Sequence, residues 1–185
     1  MDVDQIVLAL KKGETVVCPT DTVYGIIADA GNKEAVENIF RIKKRSKEKI
    51  LPVFVKDIET AKALAEIGQE KVLKKHWPGK YTFILNLKNK SQKFSKLIIG
   101  KNNTIGIRIP KYKLLNEILE KIDRPLAQTS ANISGEPATT KISEVIKYFE
   151  NEKFRPDLII DAGDLPKSKP SRIIDLTSKY STRLR

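Results

Sequence analysis

The chain has 185 residues, of which 40% are hydrophobic, so it is long enough and apolar enough to form one domain with a normal core. Its 35 Lys and Arg residues outnumber its 23 Asp and Glu residues, and the resulting net charge of +12 favours anionic partners such as nucleotides, polyphosphates or RNA. One cysteine excludes an internal disulfide, and no apolar stretch approaches the roughly 20 residues that span a bilayer. We therefore expect a single cytoplasmic domain over residues 1–185 that binds no membrane.

Apolar spacing and capping residues predict the elements of the first half of the chain. Residues 3–11 have helical spacing, and Asn32 is a suitable N-cap for a second helix that ends between Arg41 and Lys43. The other elements predicted here are strands at 14–18, 23–28, 51–55 and 81–87, a helix from Asp57 to about Gly68, and a helix at 69–76.

The second half of the chain continues to alternate strands with helices. The pattern predicts strands at 104–109, 125–129, 157–161 and 172–176, helices at 112–121 and from Thr139 or Thr140 to about 150, loops at 88–103 and 130–138, and an edge strand in the last residues. The order is not a strict β–α–β repeat, and neither G-x-G-x-x-G nor G-x-x-x-x-G-K-[ST] occurs. We therefore predict an α/β (α+β) single domain with a twisted mixed β-sheet flanked by helices, and neither a Rossmann fold nor a P-loop.

Two polar segments near the start of the chain are candidates for binding anions. Residues 19–25 place Thr20, Asp21 and Thr22 between two apolar strands, which indicates either a binding loop or a plain polar turn. Residues 43–49 form a basic cluster between a helix and a strand, and its Lys and Arg side chains suit a phosphate clamp. A solvated basic loop is the alternative for this second segment.

Two further segments add polar groups at strand positions. Arg108 alternates with Gly106 and Thr104 in one strand, where a cation needs a carboxylate or phosphate partner. A structural ion pair with some Asp or Glu is the alternative there. Residues 129–135 supply hydroxyls, an amide and a glycine that suit an anion-binding nest, although a plain turn is also consistent with them.

Several other residues have side chains that occur in catalytic or metal sites, but the sequence does not supply the further residues that such sites need. His76 is the single histidine and Cys18 the single cysteine, which argues against a zinc site or a Ser-His-Asp triad. Asp161, Asp164 and Asp175 are candidate magnesium ligands, but their spacing is not specific for a metal, so no metal ligand is assigned.

Together, these segments resemble one family, the YrdC/Sua5 family of L-threonylcarbamoyladenylate synthases. Six motifs in the same order carry the resemblance over roughly residues 5–177, which is far more specific than any single motif. Larger members have a second C-terminal domain, so the chain resembles the short, single-domain branch. The matching motifs are PTDTVYGI at 19–26, KKR at 43–45 before LPVFV, HWPGKYTFIL at 76–85, IGIRIP at 105–110, TSANISGEP at 129–137 and SRIIDLT at 171–177.

The resemblance implies a reaction in which L-threonine, bicarbonate or CO2, and ATP give threonylcarbamoyl-AMP and pyrophosphate. The product is the activated donor for the t6A modification of tRNA at position 37, which implies a downstream threonylcarbamoyl transferase complex as a partner. The substrates themselves supply the nucleophile and the leaving group. The protein therefore has to hold anions together and stabilise charge, which a basic pocket without a catalytic triad can do.

The resemblance also implies roles for individual residues. Lys43 and Arg45 look like the family's catalytic Lys-x-Arg pair, which grips the ATP phosphates, and ATP chemistry implies Mg2+. The threonine contacts implied are Thr22, Arg108 (for the carboxylate) and Ser171, and the ATP contacts are Lys43, Arg45, Lys49, Thr104, Ser130, Asn132 and Arg185. The sequence departs from the pattern at Phe54, where many two-domain members have histidine, and at 170–172, where Pro-Ser-Arg replaces Glu-Ser-Thr.

Two other functions remain as alternatives. The charge of +12 is also consistent with an RNA-binding module for tRNA or double-stranded RNA, although the sequence lacks the interleaved aromatics of a stacking surface. Related domains also occur in hydrogenase-maturation proteins, so carbamoyl-adenylate chemistry on another acceptor is the second alternative. Salt-dependent binding of tRNA without ATP turnover, or pyrophosphate release that is indifferent to threonine, would favour these alternatives.

Overall fold

The computed structural model describes residues 2–88 and 94–178 and the backbone of residues 182–183. Within that part of the chain, six α-helices and ten strands alternate irregularly. The helices are α1 (Val3–Lys11), α2 (Lys33–Lys43), α3 (Ile58–Leu64), α4 (Glu70–His76), α5 (Lys113–Ile122) and α6 (Ile142–Phe149). The strands are β1 (Val16–Cys18), β2 (Gly25–Asp29), β3 (Val53–Phe54), β4 (Tyr81–Asn86), β5 (Ile99–Gly100), β6 (Thr104–Arg108), β7 (Leu126–Ser130), β8 (Leu158–Ile159), β9 (Arg172–Asp175) and β10 (Thr182–Arg183).

Side-chain caps fix where the early helices begin. The Asn32 side chain accepts a hydrogen bond from the backbone N–H of Ala35 at 3.0 Å, and this cap starts α2. The Asp57 carboxylate accepts from the N–H of Thr60 at 2.7 Å and starts α3 in the same way. Both N-caps were predicted from the sequence, and both are confirmed.

The strands form one mixed sheet. Its order is β10-β9-β4-β6-β3-β7-β2-β1-β8, and β5 pairs with the first residues of β6. Neighbouring strands are antiparallel except for three parallel pairs, β1 with β8, β3 with β6, and β4 with β9. This mixture confirms the predicted twisted mixed sheet and excludes a doubly wound Rossmann arrangement.

Helices cover both faces of the sheet. Strand residues alternate between the two sides, and apolar residues on each side need a helix to bury them. One face, through residues such as Val17, Ile26 and Val53, packs against α2, α3, α4 and α6. The opposite face, through Ile27 and Phe54, packs against α1 and α5. The second face also carries the polar positions considered below.

Three predicted boundaries differ from the structure. The helix from Asp57 ends at Leu64, because Ala65 becomes extended and forms an isolated bridge with Leu87. The predicted loop at 88–103 contains β5 and a 3₁₀ turn, Lys101–Asn103. The last helix starts at Ile142, and the Thr139 hydroxyl is hydrogen-bonded to the Glu144 carboxylate instead of capping the helix.

Among the residues that the structure describes, none of the helices has both the length and the apolar character needed to cross a membrane.

Candidate active site

A hydroxyl network shapes the turn between β1 and β2. The Thr20 hydroxyl donates to the carbonyl of Val23 at 2.8 Å and accepts from the N–H of Thr22 at 3.0 Å. The hydroxyls of Thr20 and Thr22 are 2.9 Å apart, and both side chains are buried. Gly25 follows with its backbone close to strand β7, where a Cβ would lie 3.2 Å from the Thr129 carbonyl. The turn is therefore a fixed, polar edge of the sheet.

Arg108, the last residue of β6, is the largest fully buried side chain in the part of the chain that the structure describes. Its guanidinium donates to the carbonyl of Gly79 at 3.0 Å, the hydroxyl of Thr22 at 3.2 Å and Oδ1 of Asp21 at 2.5 Å. The guanidinium also lies 5.4 Å from the centre of the Phe54 ring. These contacts fix a buried cation beside the β1–β2 turn.

A small cavity of about 30 Å³ opens next to this guanidinium. It brings together four of the residues predicted as site residues, and they come from four separate segments of the chain. Those four residues are Thr22, Arg108, Ser130 and Ser171; the other lining residues are Thr20, Val23, Tyr24, Gly25, Phe54, Gln128, Thr129 and Pro170.

Lys43, at the end of α2, reaches the loop after β7. Its ammonium donates to the carbonyls of Ser130 and Asn132, both at 2.6 Å, and to Oδ1 of Asn132 at 3.0 Å. The side chain is only 2% exposed, and burial together with the neighbouring charge of Arg45 lowers the pKa of Lys43 to about 7. An ammonium has three N–H donors, so these three oxygens occupy all of them.

Asn132 orders the same loop from the inside. Its Oδ1 accepts from the Ser130 hydroxyl at 2.6 Å, and its amide donates to the carbonyls of Ile133 at 3.1 Å and Glu136 at 2.5 Å. The Ser-x-Asn segment is consequently a rigid loop that is held from one side by Lys43 and presents Ser130 to the cavity.

The rest of the basic cluster lies nearer the surface. Arg45 is half-buried, and its guanidinium donates to the carbonyls of Lys49 at 3.0 Å and Ile50 at 3.1 Å, so it closes the 45–50 loop on itself. Lys49 is exposed. Thr104 starts β6 on the same sheet face as Arg108, and its hydroxyl donates to the carbonyl of Lys101 at 3.0 Å. These three residues do not line the small cavity, and Arg185 lies outside the described residues.

Ser171 connects the small cavity to a larger groove. Its hydroxyl is 3.1 Å from the hydroxyl of Thr82 in β4, and it lines both spaces. The groove has a volume of about 510 Å³. Its lining is Lys80, Tyr81, Ser168, Lys169, Pro170, Ser171 and Arg172, which includes three cations and no carboxylate.

Asp21 is the acidic partner of Arg108, which the sequence analysis did not identify. An ion pair between Arg108 and some acidic residue was one of the two interpretations of Arg108, and Asp21 is that residue. The available signal was its place in the 19–25 segment, where Asp21 is the one acidic residue beside the predicted contact Thr22. Asp161, Asp164 and Asp175, which were candidate metal ligands, accept hydrogen bonds from backbone N–H groups, two of them within two residues and that of Asp164 from Ile142 at the start of α6.

The fold and the site define a mixed α/β domain with a small polar cavity, lined by the buried Arg108 guanidinium and by residues at the ends of several strands. A model for the Sua5/YciO/YrdC family, described as "Telomere recombination", matches residues 8–185. The chain therefore belongs to this family, as its six motifs predicted.

Individual relatives support this assignment. The chain is 34% identical to a threonylcarbamoyl-AMP synthase of Pyrococcus abyssi, over 91% of this chain and 48% of that protein. It is 29% identical to a threonylcarbamoyl-AMP synthase of Vibrio campbellii, over 97% of both chains. The structure of P. abyssi Sua5 complexed with L-threonine matches with a TM-score of 0.88 and 31% identity, over 99% of this chain and 53% of that chain. The chain thus spans about half the length of the Pyrococcus relative and nearly all of the Vibrio one.

Proposed function

We propose that this chain is an L-threonylcarbamoyladenylate synthase, which converts L-threonine, bicarbonate or CO2, and ATP into threonylcarbamoyl-AMP and pyrophosphate. The observation that carries the proposal is the single cavity shared by the buried Arg108 guanidinium, the Thr22 hydroxyl and Ser130 of the Ser-x-Asn loop. The names of the relatives and the L-threonine complex of the Pyrococcus protein support it. The product would be the donor for t6A formation at tRNA position 37, consumed by a separate threonylcarbamoyl transferase complex.

The chemistry needs no nucleophile from the protein. The threonine amine forms a carbamate with CO2, and a carbamate oxygen then attacks the α-phosphorus of ATP and displaces pyrophosphate. Consistent with this route, burial raises the pKa of the Cys18 thiol to about 12, so the single cysteine is not a thiolate at neutral pH. Catalysis then comes from placing two anionic substrates side by side and from compensating their charge.

The amino acid would bind at the Arg108 end of the cavity. A guanidinium fork matches a carboxylate, so Arg108 is the proposed ligand for the threonine carboxylate. Thr22 and Ser171, whose hydroxyls line the same cavity, are the proposed contacts for the rest of the amino acid.

ATP would bind towards the other side, along the basic loop and the Ser-x-Asn loop. Arg45 and Lys49 would meet the phosphates, together with Ser130 and Thr104. Lys43 and Asn132 would contribute mainly by holding the Ser-x-Asn loop, because the Lys43 donors are already used. Arg185 remains a predicted nucleotide contact.

Magnesium would arrive with ATP. Among the residues that the structure describes, no group of three or more His, Cys, Asp or Glu side chains is arranged to hold a metal ion. We propose that Mg2+ enters bound to the phosphates of ATP.

The test is a product assay with ATP, bicarbonate and L-threonine. We expect threonylcarbamoyl-AMP and pyrophosphate from the wild type, and at least a roughly 100-fold loss of kcat/KM for threonine in Arg108→Ala. Arg45→Ala should raise the KM for ATP by about tenfold or more. Arg124→Ala, at an arginine that pairs with Asp29 outside the cavity, is the matched control and should keep both constants. Pyrophosphate release that is independent of threonine would refute the proposal.

The larger groove favours one additional function, the binding of tRNA or double-stranded RNA. Lys80, Lys169 and Arg172 place three positive charges around about 510 Å³, and no carboxylate lies among the residues that line it. If these cations contact phosphates, replacing all three by Ala should reduce the slope of log K against log salt by about two to three in a filter-binding titration. An unchanged slope would contradict RNA binding in this groove.

A further inference from the structure

The charge of Arg108 is already compensated before a substrate arrives. Asp21 Oδ1 accepts from the Arg108 guanidinium at 2.5 Å, and the two side chains are only 9% and 2% exposed. The two groups thus form a buried ion pair, and Arg108 still lines the cavity proposed for threonine. A ligand that enters the cavity meets the pair and not an isolated cation.

The second oxygen of Asp21 is unusual. Oδ2 is buried and has no hydrogen-bond partner among the described residues. In that part of the chain it is the one buried side-chain nitrogen or oxygen without such a partner. An unpartnered buried acceptor is costly, and a carboxylate that accepts few hydrogen bonds keeps its negative potential. Asp21 does not itself line the cavity, and its charge lies directly behind the Arg108 guanidinium that does, so a ligand that approaches Arg108 also experiences the field of Asp21.

This arrangement affects which ligands the pocket can select. In the proposed reaction two of the three substrates, ATP and bicarbonate, are anions with no positive group. A buried guanidinium without a counter-charge would attract each of them, as well as free phosphate and simple carboxylates. Next to Asp21, a simple anion is attracted by Arg108 and repelled by Asp21, and the two effects oppose each other.

An α-amino acid differs from those anions because its ammonium lies close to its carboxylate. The carboxylate can face Arg108 while the ammonium lies on the Asp21 side, so both charges of the ion pair favour binding. Rejection of wrong ligands by a repulsive charge is a common basis of specificity.

We propose that Asp21 is a specificity-determining residue, which makes the Arg108 pocket bind a zwitterionic α-amino acid in preference to simple anions. The inference rests on the proposed function, because it takes L-threonine as the ligand of this pocket. It adds a discriminating role for an acidic residue in a site otherwise described by its cations.

Direct binding tests this inference without turnover. Calorimetry would compare L-threonine with 3-hydroxybutyrate, which is threonine without its amine, for the wild type and Asp21→Asn. We expect the wild type to prefer threonine by at least about tenfold. In Asp21→Asn, which keeps an oxygen acceptor for Arg108, 3-hydroxybutyrate should bind about tenfold or more tightly than it binds the wild type. Threonine should gain little, because the attraction between Asp21 and the ammonium is lost.

Two further variants control for the nature of the change. Asp29→Asn removes the charge of another largely buried aspartate that pairs with an arginine, and it should leave the preference unchanged. Asp21→Glu restores the negative charge and should restore part of the preference for threonine. If Asp21→Asn fails to give a cooperative thermal transition, Asp21→Ser replaces it in the same comparison.

The possible failures are distinguishable. If the wild type binds no threonine, the proposed function is wrong and this inference falls with it. If the wild type binds threonine but neither neutral variant changes the preference over 3-hydroxybutyrate, Asp21 does not determine specificity, and the proposed function stands.

Discussion

Two arginine–aspartate pairs in this protein have nearly the same contact distance and a largely buried aspartate each, but their arginines differ in exposure. In the pair Asp21–Arg108 the closest N–O distance is 2.5 Å, and in Asp29–Arg124 it is 2.7 Å. The Arg108 side chain is 2% exposed, whereas that of Arg124 is 51% exposed. Water therefore screens one cation and not the other, so the same contact has different energetic weight at the two places.

The difference in exposure gives the two pairs different electrostatic effects on their surroundings. Exposed ion pairs contribute about 0–1 kcal/mol, because solvent already stabilises each partner. In a buried pair each partner depends on the other, and the pair exerts a field on a neighbouring cavity. The cavity at Arg108 is a place where such a field can select a ligand.

The largest effect should come from removing one partner of the buried pair. Arg108→Ala leaves the Asp21 carboxylate buried without its cation, and we expect a loss of about 3–5 kcal/mol in the free energy of unfolding. Arg124→Ala, the matched change in the pair with the exposed arginine, should cost less, because Asp29 keeps the hydrogen bond from the N–H of Gly31 at 2.8 Å and water can take the place of the Arg124 guanidinium. Denaturant titration of both variants measures the contrast.

A second substitution tests the reason for this loss. Adding Asp21→Asn to Arg108→Ala removes the stranded charge, so the double variant should be more stable than Arg108→Ala alone. If the double variant is no more stable, the cost does not come from an unpaired carboxylate, and the contrast between the two pairs loses its explanation.

A smaller effect is expected at Lys43, a buried lysine whose ammonium donates to three neutral oxygens of Ser130 and Asn132. Lys43→Met leaves acceptors of Ser130 and Asn132 unpaired, and we expect a loss of about 2–3 kcal/mol near pH 7. Lys49→Met, at an exposed lysine six residues further along, should change stability by less than about 0.5 kcal/mol.

The pH dependence of this difference follows from the lowered pKa. An unfolded lysine keeps its proton up to about pH 10.4, whereas burial lowers the pKa of folded Lys43 to about 7. Between these values the unfolded state binds more protons, so the stability of the wild type relative to Lys43→Met should rise with pH, by up to about 1.4 kcal/mol per pH unit. This contribution is lost as the pH falls towards 7. A flat difference between pH 7 and 10 would mean that Lys43 keeps its proton.

Much of the fold could be predicted from local patterns. Apolar spacing predicted the helices in the first half of the chain. The N-caps Asn32 and Asp57 were also predictable, because a capping side chain bonds to the backbone of its own helix. The helix predicted to reach Gly68 stops at Leu64, because Ala65 bridges Leu87 from another part of the chain. A long-range pairing of that kind leaves no local signal.

The candidate site, like the fold, has parts that the sequence predicted and parts that it did not. Its motifs identified Thr22, Arg108 and Ser130, and the structure gathers them around one cavity. The motifs grouped Lys43 with Arg45, although Lys43 is buried on the Ser-x-Asn loop and Arg45 closes its own loop. Lys43 is buried and Arg45 is not, and this difference depends on the packing of α2 against β2, which brings Lys43 to the loop after β7.

By itself, the sequence determined the family, the mixed sheet and which polar residues gather at the candidate site, because motifs, periodicity and charge can be read along the chain. Only the tertiary structure decided that Asp21 compensates Arg108 and that Lys43 holds a loop. The physical reason is that the partners of a buried charge come from whatever the fold brings within about 3 Å, and sequence distance does not measure that proximity.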